Sequence, residues 1–162
     1  MKMIWVRLDG RDGHTVGREL LRELVGELPE IAVTDRGKPY FVDFPLHFSI
    51  SHSKNHAFCA VGEKSIGIDA EETDRQINPK LGQRYLSETE KARLQNAADP
   101  RDALLRLWVL KESCAKLTGR GWGNYLNSTD FNPEDPRIQI IDGCYVAVLE
   151  DNEASHLRTM SF

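Results

Sequence analysis

Long apolar stretches are missing from this chain, and so are paired cysteines, a surplus of basic charge and any low-complexity tract. Each absence removes a class. No run approaches the roughly 18 apolar residues that a membrane-spanning helix needs, so none is expected. The first residues, Met1-Lys2-Met3-Ile4-Trp5-Val6-Arg7-Leu8-Asp9, alternate and then turn polar, unlike the apolar core of a secretory leader. Cys59, Cys114 and Cys144 are far apart, odd in number and in no C-x-x-C pattern, which reads as buried, reduced thiols of a cytoplasmic protein. A formal net charge of −4 argues against a dedicated nucleic-acid binder, yet leaves room for a local basic pocket.

What remains is the profile of a globular protein, 40% hydrophobic and 28% charged over 162 residues. That length suffices for one domain or for two small halves sharing a core. Residues 3–9 read as a strand. From His14 to Leu28, Val16, Leu20, Leu21, Leu24, Val25 and Leu28 recur at helical spacing, and Pro29 is expected to end the helix. A turn at Asp35-Arg36-Gly37-Lys38-Pro39 leads to Tyr40-Phe41-Val42. Three strand patterns follow, over residues 46–51, 57–61 and 66–71. Ser87-Glu88-Thr89-Glu90 is a capping box opening a short helix, and a longer helix is expected from about Arg101 to Leu117, closed by Gly119. Strands at 138–140 and 144–149 flank a turn at Asp142-Gly143. The order predicts an α+β fold made of two related halves, 1–64 and 65–162.

Asp69-Ala70-Glu71 closes an apolar strand, so its two carboxylates share a side. Converging carboxylates repel, and Mg²⁺ or Mn²⁺ held by hard oxygen ligands would relieve them. Strand ends also carry acids merely because water is there. Glu112 and Lys116, at i and i+4, suit a site where a pyrophosphate is split, or else form a surface ion pair worth a few tenths of a kcal/mol. Ser49-Ile50-Ser51-His52-Ser53 offers hydroxyls and an imidazole to phosphate, or is a polar turn. Gly37-Lys38-Pro39-Tyr40 presents a cation beside a ring.

In chain order, Gly37-Lys38-Pro39-Tyr40, Phe48-Ser49-Ile50-Ser51-His52-Ser53, Gly67-Ile68-Asp69-Ala70-Glu71 and Trp108-Val109-Leu110-Lys111-Glu112-Ser113 with Lys116 resemble the motif set of surfactin-type 4'-phosphopantetheinyl transferases. The likeness covers roughly two-thirds of the chain, from about Leu20 to Gly121. It implies a pseudo-twofold α+β fold with coenzyme A between the halves. It also implies Mg²⁺ on Asp69, Glu71 and Glu112, with Glu112 as base, directly or through a bound water. Lys116 would stabilise the departing 3',5'-ADP, while Ser51 and His52 contact phosphates. Lys38 and Pro39 would line the adenine pocket, and Arg22 would meet the 3'-phosphate, with Arg18 and Arg36 as competitors. Asp69, Glu112 and Lys116 form the implied catalytic set, and the partner is an apo acyl or peptidyl carrier protein. Only about 36 residues precede Gly37, which is short for this type, so the N-terminal half is expected to be reduced. Because both halves are represented, a monomer is expected.

Other readings fare worse. S-x-x-K occurs at Ser51/Lys54 and Ser113/Lys116, but the S-D-N and K-T-G elements of penicillin-recognising enzymes are missing. A zinc set of His47, His52 and His56 would be split between strand faces. The alternative from another class is an inactive coenzyme A or nucleotide-binding module of the same fold.

Overall fold

The computed structural model describes residues 1–80 and 84–151. Two three-stranded antiparallel sheets form its frame. The first contains β1 (Lys2–Arg7), β4 (His47–His52) and β5 (His56–Gly62), in the order β1-β5-β4. The second contains β6 (Ile66–Glu72), β7 (Ile138–Ile141) and β8 (Cys144–Glu150), in the order β6-β8-β7. In both, the last strand of the set lies between the first and the penultimate one. A separate hairpin pairs β2 (Ile31–Val33) with β3 (Pro39–Phe41). The fold is α+β. No helix among the described residues is long and apolar enough to cross a membrane.

Helix α1 (Gly13–Val25) covers the first sheet and buries Val16, Leu20 and Leu21. It stops three residues before the expected end. Gly26, at φ 81° and ψ −120°, takes a positive-φ conformation that suits glycine, and its N–H donates to the carbonyl of Arg22, so glycine and not Pro29 ends the helix. Helix α2 (Glu88–Gln95) starts at the expected capping box: Ser87 Oγ accepts from Glu90 N, and the Glu90 carboxylate accepts from Ser87 N. Helix α3 (Pro100–Thr118) is capped by the Asp99 carboxylate and closed by Gly119 in the left-handed region. A 3₁₀ turn, Asn124–Ser128, follows.

The periodicities explain three core clusters. All seven residues of β5 are buried. Ala57, Cys59 and Val61 face α1, while Phe58 and Ala60 face Ile66, Ile68, Ala70 and Val146 of the second sheet. The strand alternates as any strand does, but both of its faces are apolar because each meets a different partner. The three cysteines are free and buried; burial pushes the Cys59 thiol up to about 12, and those of Cys114 and Cys144 up to about 11.

Two devices set α3 and β6 against β4. The first is Gly67. A Cβ there would lie 2.1 Å from the carbonyl oxygen of Ser113 and 2.4 Å from the amide of Leu117, both backbone atoms of α3. Only glycine admits this approach. Gly67→Ala should push α3 off the sheet and cost about 1–3 kcal/mol, the usual penalty of overpacking. Thermal denaturation would read this as a drop of several degrees; an unchanged midpoint would contradict the close packing.

The second device is Ser49-x-Ser51-x-Ser53. Ser49 Oγ accepts from Ile68 N at 3.1 Å, and Ser51 Oγ accepts from Ala70 N at 3.2 Å. Ser53 Oγ donates to the Glu72 carboxylate at 2.8 Å. Spaced by two, the hydroxyls project to one side of β4 and satisfy groups on the edge of β6.

Candidate active site

A cavity of about 680 Å³ opens between α1, β4, β6 and the C-terminal half of α3, within the usual range of roughly 300–1,000 Å³ for ligand pockets. Of the expected site residues, Lys38, Pro39, Ser51, His52, Asp69, Glu112 and Lys116 all line it. Arg22 and Glu71 do not.

Asp69 is the hub. Its side chain leaves β6 toward α3, and Oδ1 accepts from Lys116 Nζ at 2.7 Å and from Ser51 Oγ at 2.9 Å. Lys116 Nζ also donates to Ser51 Oγ at 3.1 Å. Lys116 thus reaches across to the sheet, and its ion pair is with Asp69, not with Glu112 one turn before it. The other oxygen, Asp69 Oδ2, is buried without a hydrogen-bond partner among the described residues. Glu112 stands beside it. Burial, and then the negative charge of Asp69, push the Glu112 carboxyl up to about 7. Lys116 and the indole of Trp122, whose Nε1–H donates to Glu112 Oε1 at 3.0 Å, pull the other way.

A buried carboxylate oxygen with no donor among the described residues, near a second carboxyl that burial and like charge push up to about 7, is a place where a hard divalent ion would relieve the repulsion. Asp69 and Glu112 therefore fit a hard divalent ion. Glu71 is differently placed. It pairs with Arg75 and lines a neighbouring cavity together with His52 and Arg75. Asp69 and Glu71, expected to converge on one side of β6, line different cavities, and Arg75 neutralises the second of them.

Other expected residues also take roles the sequence did not indicate. The Ser51 hydroxyl gives its proton to Asp69 and accepts from Ala70 N and Lys116, so its capacity is used within the protein. Lys38 lines the cavity with its stem, while Nζ donates to the carbonyl of Leu117 at 2.6 Å and to Ser65 Oγ at 2.9 Å, capping α3. Burial lowers the Lys38 pKa. Arg22 directly follows Leu21, the last α1 residue to border the cavity, but is itself exposed and does not line it. Among the described residues, the two competitors, Arg18 and Arg36, are the arginines that line it. His52 lines it too, its ring edge-on to His14 at a centroid distance of 4.6 Å.

Sequence reasoning missed Arg75 and Trp122. Arg75 is four residues after Glu71 but outside any helix, so no periodicity announces the pairing. Trp122 stacks on Trp108 and meets Tyr85 at a tilt, each ring centroid 4.5 Å away. Nothing local ties an indole after α3 to a carboxylate within it.

Residues 65–159 match the sequence model of the 4'-phosphopantetheinyl transferase superfamily. The chain belongs to this superfamily. Among its relatives, it is 38% identical to the 4'-phosphopantetheinyl transferase gsp of Aneurinibacillus migulanus over 94 residues, 57% of this chain and 39% of that one. It is 34% identical to the 4'-phosphopantetheinyl transferase of Bacillus subtilis over 130 residues, 75% of this chain and 58% of the other. It is 33% identical to AcpT of Escherichia coli K12, also named a 4'-phosphopantetheinyl transferase, over 67% of this chain and 58% of the other. The chain spans about two-fifths to three-fifths of the length of these superfamily members. Asp69, Glu112 and Lys116 all fall inside the matched segment.

Proposed function

We propose that this superfamily member transfers the 4'-phosphopantetheine arm of coenzyme A to a serine of an apo carrier protein, releasing 3',5'-ADP. Coenzyme A occupies the cavity between the halves 1–64 and 65–162. The observation carrying the reading is the arrangement of Asp69, Glu112 and Lys116, with an unpartnered Asp69 oxygen and a cation on one cavity wall. Asp69 and Glu112 would hold Mg²⁺, or Mn²⁺, which when bound supplies charge neutralisation at a pyrophosphate. Glu71 would join them only by giving up Arg75.

The remaining roles belong to the chain's own groups. Glu112, one oxygen steadied by the Trp122 indole, takes the proton of the carrier serine as its oxygen attacks the β-phosphorus. Lys116 neutralises charge developing on the departing bridging oxygen. Ser51 orients both Asp69 and Lys116. Arg18, Arg36 and His52 are the groups available to the phosphates, and Pro39 with the Lys38 stem lines the base-binding end. Arg22 is replaced in the 3'-phosphate role by Arg18 or Arg36. The protein acts in the cytoplasm as a monomer, without nucleic acid or membrane as partner.

Intact-mass spectrometry tests this. The protein is incubated with coenzyme A, Mg²⁺ and a panel of apo carrier proteins. The expected result is a mass gain of one phosphopantetheine arm, abolished by EDTA and by Asp69→Ala. Coenzyme A binding with no gain on any carrier overturns the transfer and leaves a binding module. Lys116→Ala should lower turnover by about 100-fold, the scale of losing one transition-state donor, while coenzyme A affinity changes far less. A normal turnover number in that variant rules out the role given to Lys116.

A further inference from the structure

A second group of ligand-type side chains includes Glu72, on the opposite face of β6 from Asp69, and is independent of the catalytic reading. His56 opens β5, Glu72 closes β6 and Cys144 opens β8 directly opposite Glu72. One donor atom from each lies within 4.8 Å of the others. His56 Nδ1 is 3.3 Å from Cys144 Sγ and 3.5 Å from Glu72 Oε1. Bonds of about 2.0–2.3 Å to a tetrahedral ion place neighbouring ligands at about these separations.

The surroundings are those of a supported metal site. On its far side the His56 ring meets a carboxylate, with Nε2 2.9 Å from Asp142 Oδ2. Asp142 is itself clamped by Arg7, which donates from Nε and Nη2 at 2.5 and 2.7 Å. A carboxylate on one imidazole nitrogen holds the proton there and turns the other lone pair toward Cys144 and Glu72, the usual outer support of a ligating histidine. Glu72 is held in turn by Lys54 N, Asn55 N and Ser53 Oγ. Ser53, Glu72 and Asn55 also border a cavity of about 450 Å³, so the Glu72 side of the group is open to it.

We propose that His56, Glu72 and Cys144 form a site for a borderline divalent ion of the Zn²⁺ class. Imidazole, thiolate and carboxylate together select Zn²⁺ or Co²⁺ over the hard Mg²⁺. Binding expels the Cys144 thiol proton to solvent and joins Nδ1, Sγ and a Glu72 oxygen to the ion. It ties the β4–β5 hairpin of the first sheet to β6 and β8 of the second.

The test is a Co²⁺ titration of the full chain followed by absorption spectroscopy. One equivalent should produce a thiolate-to-cobalt charge-transfer band, displaced by Zn²⁺ but not by excess Mg²⁺. Cys144→Ser should abolish the band. Because Cys144 is buried, a second variant is needed: Asp142→Asn, at the more exposed turn, should weaken Co²⁺ binding by about 10–100-fold with circular dichroism unchanged. Absence of the band, its survival in Cys144→Ser, or an unchanged affinity in Asp142→Asn overturns the proposal; the cluster is then a hydrogen-bonded clamp alone.

Discussion

Glu112→Gln is expected to lose carrier modification by about 100-fold or more, the scale of removing a positioned base, while the fold survives. The amide keeps an oxygen for the Trp122 indole and nearly the same volume, so packing around Trp108 and Tyr85 has no reason to change. Stability of the metal-free protein should move the other way. The Glu112 carboxyl is held at about 7 when folded, above its ordinary value of 4.5. For a carboxyl raised by folding, ionisation costs stability as pH climbs from the unfolded value through the folded one. The wild type therefore loses stability between about pH 4.5 and 7, on the order of 1–3 kcal/mol. Glutamine does not ionise and escapes that loss. Melting curves should coincide near pH 4 and separate above pH 7, with the variant higher, and saturating Mg²⁺ should close the gap by stabilising only the wild type. A variant melting below the wild type at pH 8 without metal would refute the crowded-carboxylate account.

Lys111→Ala should be the most destabilising single change in α3. Lys111, one residue before Glu112, points away from the cavity and is 1% exposed. Its Nζ pairs with the fully buried Glu90 at 2.7 Å and donates to the carbonyls of Leu126 and Thr129 at 2.7 and 3.0 Å. Burial lowers the Lys111 pKa and raises that of Glu90, and their mutual attraction opposes both shifts. Removing the cation leaves the buried Glu90 carboxylate without its counter-charge and takes the Lys111 donor from the Thr129 carbonyl, while Leu126 O keeps Thr129 Oγ1, at about 3–5 kcal/mol in all. At about 2–4 °C per kcal/mol for a chain of this size, the melting midpoint should fall by roughly 10 °C. Lys111→Met combined with Glu90→Gln should recover much of that. No unpaired charge then remains, and the amide oxygen introduced by Glu90→Gln still accepts from Ser87 N or Phe131 N. If the single variant melts within a degree of wild type, the buried pair contributes nothing.

These two neighbours show how far sequence reading reaches. Lys111 and Glu112 sit in one short motif, yet one anchors the helix to the loop after it and the other faces the cavity. The helix itself was readable because its caps are local: Asp99 and Gly119 act on backbone groups within one turn. The capping box at Ser87 was readable for the same reason. β2 was not, since Ile31-Ala32-Val33 is too short to show alternation and exists by pairing with Pro39–Phe41. Nor was the end of α1, where Gly26 acts before Pro29 can.

By itself the sequence determined the α+β class, most element boundaries and the three residue types, acid, acid and lysine, that the cavity brings together. Spacings of two and four residues decide which side chains share a strand side or a helix face, and such spacings are local. Tertiary structure alone decided the partners. Lys116 turns to Asp69, 47 positions away, because Gly67 lets α3 lie against β6. Glu71 goes to Arg75, Lys38 to the end of α3, and Arg18 and Arg36 reach the cavity where Arg22 does not. Apart from the local Glu71–Arg75 pair, each of these outcomes depends on how one element lies on another, a distance that no periodicity within a single element encodes.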